Sequence, residues 1–124
     1  NLLVKFSLQP TEIFQFAEHL KKIKHAAFKT IIISNPGFGN ISLNFIPIEI
    51  KPINYNEYLK IINNLNALTP EVPRTMTIAN CPPEIKPNFD IWGNHSESIK
   101  IMKNLKSQYD PKNILNPGRF IGGI

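Results

Sequence analysis

The stretch FKTIIISNPGFGNISLNFIPIEI, residues 28–50, decides the fold. Phe28 to Ser34 is apolar and β-branched, which predicts a strand. Asn35-Pro36-Gly37-Phe38-Gly39-Asn40 then places five turn-forming residues around one aromatic. Ile41 to Ile50 predicts a second strand, with Ile41, Leu43 and Phe45 alternating with Ser42 and Asn44. The pair is expected to form a hairpin.

Upstream, Leu2 to Leu8 is apolar with Lys5 and Ser7 alternating outward, the pattern of a half-buried strand. Pro10 stops it and suits the first turn of a helix. Ile13, Phe16, Ala17, Leu20 and Ile23 fall at helical spacing within Thr11 to Lys24, with Glu12 near the positive end of the helix dipole and three lysines near the negative end. Downstream, Asn54 can cap a second helix with Glu57 three residues on, and Tyr58, Ile61, Ile62, Leu65 and Leu68 line one face of it. Pro70 and Pro73 end that helix, and Thr75 to Ala79 predicts a fourth strand. A hairpin with a strand and a helix before it, and a helix and a strand after it, is the split βαβ arrangement. The expected fold is therefore α+β and ferredoxin-like: a βαββαβ antiparallel sheet with helices on one face.

The remainder is an addition to that unit. Cys81 to Gly93, rich in proline and turn residues, reads as an extended crossing segment. Asn94 with Glu97 is expected to start a third helix carrying Ile101, Met102, Leu105 and Tyr109 inward and stopping at Asp110-Pro111. An irregular tail runs to Ile124. The 124 residues leave room for one core, so residues 1–124 are expected to form a single domain.

Charge and composition exclude several classes. The chain has 14 Lys and Arg against 9 Asp and Glu, a net +5. Twelve of these bases are lysines, and Ile, Asn and Lys make up 47 residues, a bias expected of an AT-rich coding sequence. The basic groups are dispersed and sit late in predicted helices, so charge alone does not argue for nucleic acid, and none is expected as a partner. The lone Cys81 closes no intramolecular bridge. His19, His25 and His95 lack metal-ligand spacing, so no metal is expected. No run is long and apolar enough to span a membrane, no signal peptide opens the chain, and its start inside an apolar run suggests a segment of something longer.

One pattern favours a binding module. Gly37-Phe38-Gly39-Asn40-Ile41 partly matches the RNP1 signature of RNA-recognition domains at the entrance to the third strand. Pro36 replaces the basic residue, Asn40 and Leu43 replace aromatics, and Lys5 stands where a partner ring would stack. A free-standing ferredoxin-like module, RRM-like for RNA or built for a small ligand, is the alternative function.

The tail is more specific. KSQYDPKNILNPGRF, residues 106–120, closely resembles the closing signature of FAD-linked oxidases of the vanillyl-alcohol oxidase type. Cys81-Pro82-Pro83 followed by Asp90-Ile91-Trp92-Gly93, with Gly122-Gly123 near the end, is most similar within that superfamily to the FAD-binding subunits of glycolate oxidases. The resemblance implies a C-terminal cap fragment of a larger flavoprotein whose FAD-binding domain lies outside this chain, and which oxidises a small 2-hydroxy acid. It further implies FAD held mainly by the missing N-terminal domain, and partnership with a second flavin-type subunit and an iron-sulfur subunit. The expected location is the cytoplasm, with a peripheral place at the inner membrane through partner subunits as the variant. The paired His motifs of related metal-dependent dehydrogenases are missing.

Read alone, Asn116-Pro117-Gly118 fixes a turn that brings backbone close to something bulky, and it presents an amide and a guanidinium. Asn116, Gly118 and Arg119 are therefore the expected cofactor contacts. Trp92, Phe120 and Ile121 are expected at the interface with the missing domain, exposed and partly apolar.

Overall fold

The computed structural model describes residues 1–49, 54–68, 74–93 and 98–124. Four strands, β1 (Leu2–Leu8), β2 (Phe28–Asn35), β3 (Asn40–Pro47) and β4 (Arg74–Asn80), form one sheet in the order β2-β3-β1-β4. Every neighbouring pair is antiparallel. With α1 (Ile13–Lys21) and α2 (Tyr55–Ala67) in the two crossovers, this is the βαββαβ arrangement.

Register explains which face is covered. Val4 stands opposite Leu43 and Ile78, and Phe6 opposite Ile41 and Met76, so one face of the central strands is continuously apolar. Val4, Phe6, Ile41, Leu43 and Ile78 are buried with Ile13, Phe16 and Leu20 of α1 and Tyr58, Ile61, Ile62 and Leu65 of α2. Edge-on ring contacts, Phe6 to Phe16 at 5.0 Å and Phe28 to Tyr58 at 5.2 Å, join each helix to the sheet. Both helices therefore lie on the same face. On the other, Lys5 and Ser7 reach solvent.

Local chemistry sets the element ends. A short 3-10 turn at Pro10–Glu12 leads into α1, which closes at Lys21, short of the expected Lys24. The side chain of Asn54 accepts a hydrogen bond from the Asn56 N–H at 3.0 Å, the cap its position suggested. Strand β3 ends at Pro47, short of the expected Ile50, a residue that lies outside those described. Gly39 closes the hairpin at φ 68°, with its backbone against the Leu8 carbonyl, where any Cβ would collide.

The strongest correction concerns α3 (Ile99–Tyr109). Its apolar residues were expected to point inward, yet Ile101, Leu105 and Tyr109 are exposed, and α3 buries no residue. The reason is topological: the covered face is already occupied by α1 and α2. The expected start at Asn94 and Glu97 lies outside the described residues. No helix among them is long and apolar enough to cross a membrane.

Candidate functional site

The segment after β4 turns back along that strand. Ile78 donates its N–H to the Ile91 carbonyl at 2.7 Å, and Gly93, at φ 83°, lies against the Met76 carbonyl, leaving no room for a Cβ. This return carries Trp92 to the end of α3, where its ring sits 5.8 Å from that of Phe120.

One buried carboxylate organises the tail. Asp110, at the end of α3, accepts the Ile114 N–H at 3.0 Å and the Leu115 N–H at 2.9 Å, one on each oxygen. Lys106 Nζ lies 2.6 Å from Asp110 Oδ2 and donates to the Leu115 carbonyl, also at 2.6 Å. The Lys106 hydrogen bond, aided by the two backbone N–H groups and opposed by burial, holds the Asp110 carboxyl down at about 2. Asn113 and Asn116, at φ 49° and 46°, take the left-handed conformation that asparagine tolerates, so the chain folds back alongside α3. Gly122 meets the Ile99 side chain where a Cβ would stand, which accounts for a small residue there.

Between α3 and this folded tail lies an open cup of about 680 Å³. Trp92, Met102, Leu105, Tyr109, Leu115 and Phe120 give it an apolar lining, and Lys106, Asn116 and Arg119 bring polar groups to the wall. Of the residues singled out by sequence, Trp92, Asn116, Arg119 and Phe120 thus meet in one place. Gly118 lines a second cleft of about 560 Å³, which shares Trp92, Arg119 and Phe120 with the first. Ile121, partly buried in the terminal 3-10 turn, lines neither. The expected close approach at Gly118 is not made by any described residue: among these a Cβ there would meet nothing within 4 Å.

Sequence reading saw Asp110 only as a helix stop and so missed the group that shapes the cup. Two signals were present, Lys106 four residues earlier and Pro111 directly after, which leaves the carboxylate free to turn onto the N–H groups that follow.

Charge is concentrated here as well. Residues 98–124 carry five basic side chains, Lys100, Lys103, Lys106, Lys112 and Arg119, against Asp110 alone, whereas the other nine basic residues meet eight acidic ones. The net charge is thus mostly a property of α3 and the tail, and composition bias alone does not explain where it sits.

The remaining candidates are dispersed. Burial lowers the pKa of His25, which is edge-on to Phe45 at 6.3 Å, and His19 donates from Nδ1 to the Gln15 carbonyl at 2.8 Å. His95 lies outside the described residues. Burial pushes the Cys81 thiol up, away from the thiolate form a nucleophile needs. Among the described residues no group of three or more His, Cys, Asp or Glu could hold a metal ion. Among the described residues the sheet face away from α1 and α2 carries Lys5, Ser42, Asn44 and Thr77 with Ile31 and Ile33, and no aromatic ring, while Phe38 stands exposed in the hairpin turn. That face is not the stacking platform an RNA-binding sheet uses.

Residues 93–120 match the family model of FAD linked oxidases, C-terminal domain. The match covers α3 and the turn that forms the cup, and it supports a C-terminal domain of an FAD-linked oxidase. No curated protein and no solved structure matches the chain.

Proposed function

We propose that this chain is the C-terminal cap domain of an FAD-dependent oxidoreductase of the vanillyl-alcohol oxidase type, similar to the FAD-binding subunit of glycolate oxidase and acting on a small 2-hydroxy acid. The observation that carries the reading is a coincidence of place. The stretch that matches the oxidase family leaves Ile101, Leu105, Tyr109, Ile114, Leu115 and Phe120 exposed among the described residues, gathered on α3 and the tail that folds beside it. Exposed apolar clusters of this kind mark a partner surface, and here the partner is the FAD-binding domain. A second flavin-type subunit and an iron-sulfur subunit complete the assembly in this reading, which places it in the cytoplasm.

The residues present fit contact with a flavin bound mainly elsewhere. The space beside Gly118 is open, Asn116 offers an amide, and Arg119 offers a planar guanidinium suited to an anionic group. When bound, FAD supplies the acceptor for a hydride equivalent from the substrate. The chain's own contribution is to exclude water with Trp92 and Phe120, to orient the anion with Arg119, and to hold the turn in place through Asp110.

Spectra and flavin stoichiometry of the full-length protein test this. The expected result is a flavin spectrum that weakens in Arg119→Ala and Asn116→Ala, with turnover falling alongside. The isolated chain is expected to bind FAD weakly or not at all, since it has no glycine-rich phosphate cradle. A colourless full-length protein, or submicromolar FAD binding by the isolated chain, contradicts the proposal.

A further inference from the structure

The two edges of the sheet are finished differently. On β4 the chain's own return covers the outer side, with Ile78 bonded to Ile91 and Gly93 seated on the Met76 carbonyl. On β2 no described residue adds a further strand. Natural edge strands are shielded by charge, proline, bulges or a covering segment. Strand β2 has eight residues, pairs with β3 without a register shift, and carries one charge, Lys29, near its start.

Its side chains are as unusual as its edge. Ile31, Ile32 and Ile33 are 38%, 36% and 65% exposed, although successive residues point to opposite faces of the sheet. Apolar surface is therefore open above, below and alongside the same strand. A helix or a loop lying on one face leaves the other bare. A further strand carrying apolar residues on both its faces covers all three sides.

We propose that a second copy of this chain supplies that strand: two β2 strands pair antiparallel about a twofold axis at Ile32, joining two four-stranded sheets into one of eight. The strand is complementary to itself in this register. Ile32 meets Ile32, Ile31 meets Ile33, and Thr30 meets Ser34, so apolar rows run on across both faces and two hydroxyls fall opposite each other. The charges are compatible too, because Lys29 falls opposite Asn35 and the two lysines sit at opposite ends of the pairing. Assembly stops at two, since the β4 edges that remain are covered. The contact is isologous, as closed dimers require, and at the small end of interface sizes, so the dimer dissociates on dilution. This inference does not depend on the flavin reading.

Sedimentation of the full-length protein over a dilution series is the test. The expected result is a dimer at tens of micromolar that gives way to monomer on dilution. Ile32→Lys sets two ammonium groups face to face and raises the dissociation constant at least tenfold, while Ile32→Val leaves it nearly unchanged. A second measurement needs no disruptive variant. In a full-length background with Cys81 and every other accessible cysteine replaced by serine, nitroxide labels on Lys29→Cys are expected roughly 20 Å apart along the strand direction, six residues at about 3.4 Å each. A monomer throughout, as when another domain or another protein covers β2, overturns the proposal. So do a dimer untouched by Ile32→Lys, label distances that fit another register, and open-ended polymers.

Discussion

Among the described residues the sheet and its two helices bury fifteen apolar side chains and Ile85 of the segment after β4 joins them, whereas α3 and the tail bury none and enclose one carboxylate. The first region is held by apolar packing, with each side chain contributing through area removed from water. The second is held by directed bonds to Asp110 and by left-handed asparagines, which fix a shape without filling an interior. A region shaped but not filled is suited to receive something, and the oxidase match falls on that region.

The largest expected contrast is in stability. Phe16→Ala opens a cavity beneath Phe6 and is expected to cost about 3–5 kcal/mol, read as a lowered denaturation midpoint. Leu105→Ala and Tyr109→Ala are expected to stay within about 0.5 kcal/mol in the isolated chain. A large loss at Leu105 breaks the comparison, because it means that the cup is already part of a packed interior.

Glycine substitutions give a smaller effect. Gly93→Ala combines a left-handed backbone with a collision at the Met76 carbonyl, and a strained position of this kind costs on the order of 1–3 kcal/mol. Gly118→Ala meets open space and adds only the backbone term, roughly 1 kcal/mol in the isolated chain. If the full-length protein loses flavin on Gly118→Ala while the isolated chain stays folded, the contrast sharpens.

Asp110→Asn is expected to act locally. The amides of Ile114 and Leu115 exchange faster while those of β1 and β3 keep their protection, as hydrogen exchange read residue by residue will show.

The smallest effects are in pH dependence, and they separate the two regions. Asp110 is held at about 2, below its ordinary 3.8, so its contribution is complete above the higher value and fades as pH falls from about 4 through 2. His25 is lowered by burial, with Glu57 opposing and Lys60 assisting. The body therefore gives up His25's contribution as pH falls below about 6.5, the ordinary histidine value. Amide shifts of Leu115 and Phe45 followed from pH 8 to pH 2 should move in these two separate windows.

Much of the body was legible in the sequence because strand alternation and helical spacing report burial directly. Ile41, Leu43 and Phe45 alternate, and they are buried. Helix α3 misled for a physical reason: an apolar stripe states that a face seeks cover, and it does not say whether the cover lies in the same chain. The cup was half legible, since Asn116 and Arg119 stand out as chemistry. Asp110 did not, because a carboxylate bonded to backbone N–H groups leaves no periodic trace.

Hydrogen exchange over residues 98–124, compared between the isolated chain and the full-length protein, tests the central claim most directly. The account predicts that α3 and the tail gain protection in the full-length protein while the central strands β1 and β3 change little. Equal protection of α3 in the two proteins would contradict it.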